Sequence, residues 1–317
     1  SAGGMEARRV PLGGFAIDAI RLGALRGQGP LAALAAPLNV TRAVLQARAL
    51  LKAQQPQAVL AFGGFASGPG GLAARTLGLP LIVHEQNRAP GLTNRVLARF
   101  ARKVLTGFPG AFPPPAEAVG NPVREAIAAL PDPVRRLQGR SGPIRILVLG
   151  GSQGARGLNL AVPKALAGWM NLEIRHQCGE KLVDEARAAY AVSKLQARIE
   201  PFITDMADAY GWADLVISRA GASTLAELCA AGVASVLVPF PGAVDDHQAR
   251  NAEYLAEGGG ARWLRQTDTL AADLADLLKP LLGDRRRLLD MARAARELAL
   301  PGAAERVADI AYEEAHA

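Results

Sequence analysis

Residues 144–157 read IRILVLGGSQGARG, an apolar run that leads directly into a glycine-rich turn and then a helix. The apolar run at 146–149 is typical of a strand covered on both faces. Gly150 and Gly151 let the backbone approach a ligand closely, and Gly154 keeps the start of the helix uncrowded. Such a junction aims backbone N–H groups and the positive end of a helix at one point, where a phosphate can bind. The segment lacks the lysine of G-x-x-x-x-G-K-[ST] and is not a regular G-x-G-x-x-G, so by itself it fits a plain tight turn equally well.

The same succession of strand and helix recurs along the chain. Glycine or proline follows most of the apolar runs, and an amphipathic stretch rich in alanine and leucine comes next. The pair Gly63-Gly64 repeats the pair Gly150-Gly151. We predict strands at 15–20, 58–62, 81–84, 104–106, 144–149, 172–177, 198–202, 215–218, 235–238 and 262–264. This alternation predicts an α/β protein made of two Rossmann-like halves.

A chain of 317 residues exceeds the usual size of one domain. We predict a first domain over 1–125, a linker over 126–142 and a second domain over 143–317. The linker is placed there because that segment carries several prolines and charged residues, which are typical of a surface connection. The last stretch, 284–317, is helical by composition and can return to pack on the first domain.

The composition narrows the class of protein and of partner. No stretch approaches the roughly 20 apolar residues that a transmembrane helix needs. Cys178 and Cys229 match no metal or redox spacing and are expected to be reduced core thiols of a cytosolic protein. The net charge of +7 favours anionic partners such as phosphorylated small molecules or anionic lipid. Because the basic residues are dispersed and no RNA-binding or zinc motif occurs, we do not expect nucleic acid as a partner.

A second junction of strand, glycine and helix reads RAGASTLAE at 219–227. Thr224 and Glu227 have the spacing of a capping box, in which the carboxylate only satisfies N–H groups at the helix start. The functional interpretation makes Glu227 an acceptor for two ribose hydroxyls, while the helix start faces a diphosphate. The spacing alone slightly favours the capping box.

The segment FPGAVDDHQARN at 240–251 carries more polar side chains than a tight turn needs. Gln248 suits recognition of sugar hydroxyls. His247 can act as a base, although a lone histidine is more often a structural hydrogen-bonding group. The adjacent carboxylates of Asp245 and Asp246 are more typical of a solvated loop than of a metal site.

Two segments of the first half indicate ligand contact. GGFASGPGG at 63–71 is richer in glycine than a turn requires, and a loop that approaches a ligand by its backbone explains this best. HEQN at 84–87 follows a predicted strand at the carboxyl edge, where open α/β sheets bind ligands. A polar capping loop remains the alternative for any single residue of this tetrad.

The segment 30–52 predicts an amphipathic helix in which leucines alternate with basic residues. These residues are Leu31, Leu34, Leu38, Leu45 and Leu51, with Arg42, Arg48 and Lys52. Core packing is the favoured interpretation for most of the leucines. The alternative places part of this face on an anionic membrane surface. The basic residues that would join it are Arg95, Arg99, Arg102 and Lys103.

Five motifs, taken together, resemble the MurG family. They are GGFASGPGG at 63–71, HEQN at 84–87, NPVR at 121–124, GGSQGAR at 150–156 and AGASTLAE at 220–227. They occur in the family's order and span nearly the whole chain, so the five together are specific although none is specific alone. The family comprises the peptidoglycan UDP-N-acetylglucosamine (UDP-GlcNAc) transferases that act on lipid I, the undecaprenyl-linked N-acetylmuramoyl-pentapeptide.

The resemblance implies a GT-B fold, in which two Rossmann-like domains face a cleft. It implies an inverting transfer of N-acetylglucosamine (GlcNAc) from UDP-GlcNAc to the 4-hydroxyl of the muramoyl sugar, which yields lipid II and UDP. Undecaprenyl-pyrophosphoryl-MurNAc-pentapeptide and an anionic membrane surface are the further partners that it implies, with no cofactor and no metal. It places the protein peripherally on the cytoplasmic face of the bacterial inner membrane, in peptidoglycan synthesis and hence in cell wall biogenesis, cell shape and cell division.

The resemblance also assigns site residues, mainly in the second domain. Those implied to bind UDP-GlcNAc are Asn87, Arg124, Ser152, Gln153, Gly154, Ile203, Ala222, Ser223, Thr224, Leu225, Ala226, Glu227 and Gln248. Ser152 would contact the diphosphate, Ile203 the uracil through its backbone, Glu227 the ribose and Gln248 the sugar. Those implied for the acceptor side are Gly63, Gly64, Ser67, Gly68, His84 and Glu85.

The chain departs from the family pattern at two places. The family's first βα turn reads GGTGGH, and its histidine is the proposed general base, whereas this chain starts SAGGMEARR. We therefore expect a first domain without its first βα unit and low turnover, with His84 and Glu85 as weak candidates for the base. His247 stands where some members carry a second glutamine. The alternatives are a truncated nucleotide-sugar-binding module with weak or no catalysis, or another GT-B enzyme such as a UDP-sugar 2-epimerase.

Overall fold

The structure is a computed structural model that describes residues 10–20, 29–151 and 153–317. These residues group into two compact units. The first unit comprises the residues up to 86, 90–119 and 305–317, and the second comprises 87–89 and 120–304. Each unit is built on its own parallel sheet, so the fold class is α/β.

The elements of the described residues are as follows. The strands are β1 (Val59–Ala61), β2 (Leu81–Glu85), β3 (Lys103–Thr106), β4 (Glu117–Ala118), β5 (Ile144–Leu149), β6 (Leu172–Gln177), β7 (Arg198–Glu200), β8 (Leu215–Ser218), β9 (Ala234–Leu237) and β10 (Ala261–Trp263). The helices are α1 (Gly29–Gln54), α2 (Gly64–Leu77), α3 (Leu92–Leu97), α4 (Glu125–Ala128), α5 (Pro133–Leu137), α6 (Arg156–Ala165), α7 (Val183–Val192), α8 (Met206–Trp212), α9 (Ala222–Ala231), α10 (His247–Glu257), α11 (Leu270–Leu282), α12 (Arg285–Glu297) and α13 (Ala303–His316). Short 3₁₀ turns lie at Pro11–Gly13, Glu180–Leu182 and Val244–Asp246.

Among the described residues, the first unit carries a four-stranded sheet in the order β1-β2-β3-β4. Strand β2 is buried along its whole length because helices cover both faces of the sheet. On one face Ile82 packs with Val307 and Ile310 of α13. On the other face Val83 packs with Leu97 of α3. The last helix of the chain therefore completes the core of the first unit.

The second unit carries a six-stranded sheet in the order β10-β9-β8-β5-β6-β7. The order reverses between β5 and β8, which pair directly with Leu149 opposite Ser218. In open parallel sheets a ligand binds outside the carboxyl ends of the strands at such a switch point. The turn after β5 and the turn after β8 are the two glycine junctions singled out in the sequence, so the topology brings them to one edge.

Most predicted strands match the structure, and those at 144–149, 172–177 and 215–218 match it to the residue. The strand predicted at 15–20 is wrong, because this segment is irregular and Phe15 is 72% exposed. An alternating apolar pattern forms a strand only where a neighbouring strand satisfies its backbone groups. Strand β4 was not predicted, since it is a two-residue edge strand with exposed side chains and no hydrophobic signal.

The segment predicted as a linker groups with the second unit. Arg136 of α5 donates to the backbone carbonyls of Ala231 and Gly232. Arg140 donates to the carbonyl of Trp212 at 2.9 Å and to the carboxylate of Asp214 at 2.8 Å. In the sequence, the charged residues of this segment indicated a surface connection, but its arginines attach it to the second unit. The boundaries at 125 and 143 stay a prediction.

Two leucines of helix α1 lie outside the core, contrary to the prediction. Leu38 and Leu45 are 54% and 60% exposed, so the core-packing interpretation is wrong for these two. Among the side chains of α1 that the structure describes, from residue 37 onward, those of Ala43 and Ala47 are buried. Among the helices of the described residues, none combines the length and the apolar character needed to cross a membrane.

Candidate functional site

A pocket of about 660 Å³ opens in the second unit at the carboxyl ends of β5, β6 and β8. It gathers residues from seven separate segments of the sequence. Those lining it are Arg124, Leu149, Gly150, Gly151, Gln153, Gly154, Ala155, Arg156, Gly157, Gln177, Phe202, Ile203, Met206, Tyr210, Arg219, Gly221, Thr224, Glu227, Phe240, Gln248 and Gln266. Of the predicted donor-site residues, the pocket brings together Arg124, Gln153, Gly154, Ile203, Thr224, Glu227 and Gln248.

The glycine turn after β5 forms one wall of the pocket. Gly151 and Gly154 have φ of 82° and 77°, a conformation that favours glycine. Gln177 at the end of β6 holds the turn, since its Oε1 accepts from the N–H of Gly151 at 3.1 Å and its Nε2 donates to the Gly151 carbonyl at 2.8 Å. Sequence reasoning missed Gln177, because the register of β6 beside β5 is needed to place it. The predicted contact residue Ser152 lies outside the described residues.

Helix α6 begins beside this turn without a side-chain cap at its N-cap residue, Ala155. The first residues of α6, Arg156 and Gly157, line the pocket together with Ala155. The first four N–H groups of a helix have no partner within the helix. This helix start therefore presents hydrogen-bond donors and a positive dipole end to the pocket.

Helix α9 places Glu227 in the lining of the pocket. Its N-cap residue is Gly221, so Thr224 lies inside the first turn and the capping-box interpretation is wrong. The Oε2 atom of Glu227 instead accepts from the Tyr210 hydroxyl at 3.0 Å, and Oε1 lies 4.0 Å from the Arg124 guanidinium. Burial raises the pKa of Glu227, while the bond from Tyr210 and the charge of Arg124 lower it. The carboxylate is thus a largely desolvated acceptor at the pocket wall.

The other predicted residues of this run point elsewhere. Leu225 and Ala222 are buried in the core, and Ser223 is exposed outside the pocket lining. Thr224 and Glu227 face the pocket together because residues three apart lie on one side of a helix. For Ala222, Ser223, Leu225 and Ala226, a backbone role in binding stays a prediction.

Arg219 contributes a positive charge that sequence reasoning left unassigned. Its guanidinium donates to Gln266 Oε1 at 2.6 Å and to the Val238 carbonyl at 3.0 Å, and it lies 5.6 Å from the centre of the Phe240 ring. Burial lowers the pKa of Arg219 to about 10, so the group stays protonated at neutral pH. The position of Arg219 directly after a buried strand could have singled it out as a site residue from the sequence. Gln266 could not be found in this way, because only the fold brings it next to Arg219.

The polar segment after β9 divides into a pocket part and a structural part. Gln248 lines the pocket, and its Oε1 accepts from the N–H of Phe240 at 2.9 Å. His247 Nδ1 lies 2.7 Å from the Val244 carbonyl, which favours the structural interpretation. Asp246 pairs with Arg265 at 2.8 Å. Within the described part of the chain, no group of three or more potential metal ligands comes together.

The predicted acceptor residues belong to the first unit. His84 and Glu85 end β2 and are buried, and Glu85 Oε2 accepts from Asn94 Nδ2 at 2.9 Å and from the N–H of Gly91 at 3.1 Å. Glu85 therefore orders the loop that follows β2. This arrangement does not single out either residue as a base, and the base stays unassigned.

The prediction of a glycine-rich loop over 63–71 is wrong for residues 64–71, because these residues form the start of α2. Ser67 donates to the Gly63 carbonyl at 2.5 Å within this helix start. A methyl group on Gly71 would lie 2.7 Å from Leu97 Cδ2, so this glycine permits close packing of α2 on α3. A methyl group on Gly68 would only make an ordinary contact, 3.6 Å from Thr93 Cγ2, so packing does not require glycine there. Part of the glycine content thus serves helix packing and not ligand approach.

Asn87 lies outside the pocket lining but joins the second unit. Its Oδ1 accepts from Asn251 Nδ2 at 3.1 Å, and the N–H of Arg88 donates to Asn251 Oδ1 at 2.9 Å. Asn251 is fully buried and also donates to the Ala220 carbonyl at 3.1 Å, directly before α9. A direct contact between Asn87 and the donor stays a prediction.

Comparison with known proteins gives consistent matches along the chain. The glycosyltransferase family 28 C-terminal domain matches residues 145–311, and the corresponding N-terminal domain matches residues 1–106. A UDP-N-acetylglucosamine–N-acetylmuramyl-(pentapeptide) pyrophosphoryl-undecaprenol N-acetylglucosamine transferase of Xanthomonas campestris pv. campestris is 64% identical over 99% of this chain and 74% of its own length. The crystal structure of Acinetobacter baumannii MurG is 39% identical with a TM-score of 0.87, over 99% of this chain and 89% of that one.

The alternative of a 2-epimerase receives support at the level of the fold alone. A UDP-GlcNAc 2-epimerase from Neisseria meningitidis matches with a TM-score of 0.62 but is 12% identical, over 86% of this chain and 81% of that one. The predicted GT-B fold and the resemblance stated from the five motifs are confirmed. The chain belongs to glycosyltransferase family 28 and, within it, to the MurG family of UDP-N-acetylglucosamine-dependent transferases.

Proposed function

We propose that the pocket of the second unit binds UDP-GlcNAc, and that the protein transfers GlcNAc from it to lipid I, yielding lipid II and UDP. One observation carries the assignment of the pocket. The uncapped start of α6, the start of α9 and the desolvated carboxylate of Glu227 line the same cavity. Two helix starts suit a diphosphate, and a carboxylate suits the vicinal hydroxyls of a ribose.

The diphosphate would lie between the glycine turn and the start of α6. Backbone N–H groups there, together with Arg219, would stabilise the negative charge that develops as UDP leaves. Arg219 is held in place by Gln266 and by the carbonyl groups after β9, so little reorganisation is needed during the reaction. This arrangement supplies charge stabilisation from the chain's own residues.

The remaining lining residues fit the other parts of the donor. Ile203 and Phe202, which follow β7, and Met206 of α8 offer an apolar wall for the uracil. Gln248 would bind sugar hydroxyls through its amide nitrogen, since its oxygen accepts from the N–H of Phe240.

Replacing Glu227 by alanine is expected to weaken UDP-GlcNAc binding by about 1–3 kcal/mol, because charge-assisted hydrogen bonds to the ribose are lost. Isothermal titration calorimetry with UDP-GlcNAc, UDP-glucose and UDP measures the effect. All three ligands should lose affinity, since they share the ribose. The control is Glu173→Ala, on β6 and outside the pocket lining, which should bind as the wild type does. Equal affinity of Glu227→Ala and wild type would refute the ribose role.

The reaction itself is tested by incubating the protein with UDP-GlcNAc and a lipid I analogue and measuring the disaccharide product. Formation of the lipid II analogue, and its loss in the Glu227→Ala variant, would support the transferase. Tight binding of UDP-GlcNAc without any product would favour the alternative of a nucleotide-sugar-binding module.

For the location, we propose peripheral association of the first unit with an anionic membrane surface at the cytoplasmic face. Leu38 and Leu45 lie seven residues apart on one face of α1, with the exposed Arg42 between them. Exposed leucines beside a cation are typical of a helix that lies in a lipid interface.

The double variant Leu38→Glu, Leu45→Glu is expected to reduce binding to phosphatidylglycerol-containing vesicles at least about tenfold, since burial of each leucine contributes about 1.5–3 kcal/mol. Flotation of the vesicles measures it. Met170→Glu, which replaces a 96% exposed side chain of the second unit, is the control and should float as the wild type does. Unchanged flotation of the double variant would contradict this membrane face.

A further inference from the structure

Tyr210 is a fully buried tyrosine at the wall of the pocket. Its hydroxyl donates to Glu227 Oε2 at 3.0 Å. A buried phenol costs free energy unless its hydroxyl is paired, and burial, followed by the proximity of Glu227, raises its pKa well above the ordinary value. The hydroxyl is therefore a permanent donor to the carboxylate.

We propose that Tyr210 is a positioning residue that fixes one oxygen of Glu227, so that the other oxygen is held toward the pocket and the donor's ribose. The proposal rests on the proposed role of Glu227 in binding the ribose. The terminal torsion of a glutamate side chain is broad, so a carboxylate with no partner samples many orientations. A donor on Oε2 selects one of them before the ligand arrives, which lowers the entropic cost of binding.

The position of the Tyr210 hydroxyl is itself anchored through α8. Asp205 caps the helix, since its side chain accepts from the N–H of Asp208 at 2.9 Å. Arg175 of β6 donates to Asp208 at 2.8 Å, and its guanidinium lies 5.7 Å from the centre of the Trp212 ring. Helix α8 is thereby attached to β6 at residues on both sides of Tyr210. These contacts fix the position of the hydroxyl relative to the sheet.

Tyr210 also favours the charged form of Glu227. Burial raises the pKa of this carboxyl, and the hydrogen bond from Tyr210 followed by the charge of Arg124 lower it. Tyr210 on α8 and Arg124 directly before α4 are the groups that act on this carboxylate in the described structure. Removal of the hydroxyl should raise the pKa further, so the variant protonates Glu227 at a higher pH than the wild type does.

The test is Tyr210→Phe, which removes one oxygen atom and keeps the ring. We expect the affinity for UDP-GlcNAc, measured by calorimetry at neutral pH, to fall about 5- to 20-fold, as for a lost hydrogen bond to a charged group. As the pH is lowered, the loss of affinity should begin at a higher pH in the variant than in the wild type. A merely structural role would leave that pH profile in place.

Tyr190→Phe is the matched control. Tyr190 is also buried in the second unit, and its hydroxyl lies 2.9 Å from His176 Nδ1, away from the pocket lining. This variant should keep the affinity and the pH profile of the wild type. A fall in affinity equal to that of Tyr210→Phe would overturn the proposal, because it would show a general effect of removing a buried hydroxyl.

Combining Tyr210→Phe with changes at Glu227 or in the donor distinguishes the positioning role of Tyr210 from the ribose role of Glu227. In the Glu227→Ala background, Tyr210→Phe should have no further effect, and a donor with 2′-deoxyribose should reduce the penalty of Tyr210→Phe in the otherwise native protein. If Glu227→Ala weakens binding while Tyr210→Phe does not, the positioning role is refuted and the proposed function stands. If Glu227→Ala has no effect, the ribose assignment fails, and the positioning role fails with it. The deoxy donor also keeps the test decisive if the double variant does not fold.

Discussion

Replacing Gly154 by alanine is expected to weaken UDP-GlcNAc binding at least about 100-fold, the equivalent of losing two charge-assisted hydrogen bonds to the diphosphate. Gly154 has φ of 77°, and a methyl group there would overlap the carbonyl oxygen of Cys178 and lie 3.0 Å from Leu182 Cδ1. The Cys178 carbonyl cannot yield easily, because Asn159 Nδ2 donates to it at 3.1 Å. The turn must therefore move, and with it the N–H groups at the start of α6.

Calorimetry with UDP-GlcNAc measures this effect, and Gly168→Ala is the control. Gly168 has a comparable φ of 85°, but a methyl group there would meet no atom within 4 Å, and the residue lies outside the pocket lining. The control should cost about 1–2 kcal/mol of folding stability through backbone strain and leave binding intact. Affinity of Gly154→Ala within threefold of wild type would show that the turn does not hold the diphosphate.

Replacing Asp214 by asparagine is expected to lower the free energy of unfolding by about 3–5 kcal/mol, as when one partner of a buried ion pair is removed. Asp214 is 3% exposed and pairs with Arg140 at 2.8 Å and with Arg285 at 2.9 Å. Its Oδ2 also accepts from the N–H of Arg145 at 3.0 Å. The variant leaves two partly buried guanidinium groups without their counter-charge, at the point where the 133–143 segment and α12 meet the sheet.

Urea unfolding followed by tryptophan fluorescence measures the change. The control is Glu173→Gln, which breaks an exposed pair with Arg145 at 3.4 Å and should cost no more than about 1 kcal/mol. A difference between the two variants of less than about 1 kcal/mol would contradict a structural role for the Asp214 cluster, since buried pairs lose far more than exposed ones.

The elements that the sequence predicted well are those with a strong local signal. Strands β5 and β8 are mostly apolar, β6 begins with Leu172 and Ile174 in alternation with charged residues, and the bounds of all three match the prediction to the residue. The prediction failed for the strand at 15–20 and missed strand β4. In both segments, pairing with a neighbouring strand decides whether a strand forms, and the local sequence pattern carries no information on that pairing.

The candidate site shows the same division. Glu227 and Gly154 stood out because their motifs are local, and both line the pocket. Tyr210, Gln177 and Gln266 did not stand out, although they contact Glu227, Gly151 and Arg219. Each of these contacts joins residues distant in the chain, so no spacing rule could have found it.

The family, the alternation of strands and helices and the two glycine junctions follow from the amino-acid sequence, because each motif and each apolar run consists of residues close together in the chain. The fold shows that Glu227 is not a cap but an acceptor for the Tyr210 hydroxyl, since α9 has its N-cap at Gly221 and α8 brings Tyr210 beside it. It also decided that Leu38 and Leu45 lie outside the core, because Ala43 and Ala47 occupy the buried face of α1. Backbone preferences and motifs are local, whereas burial and pairing arise only when distant segments are brought together.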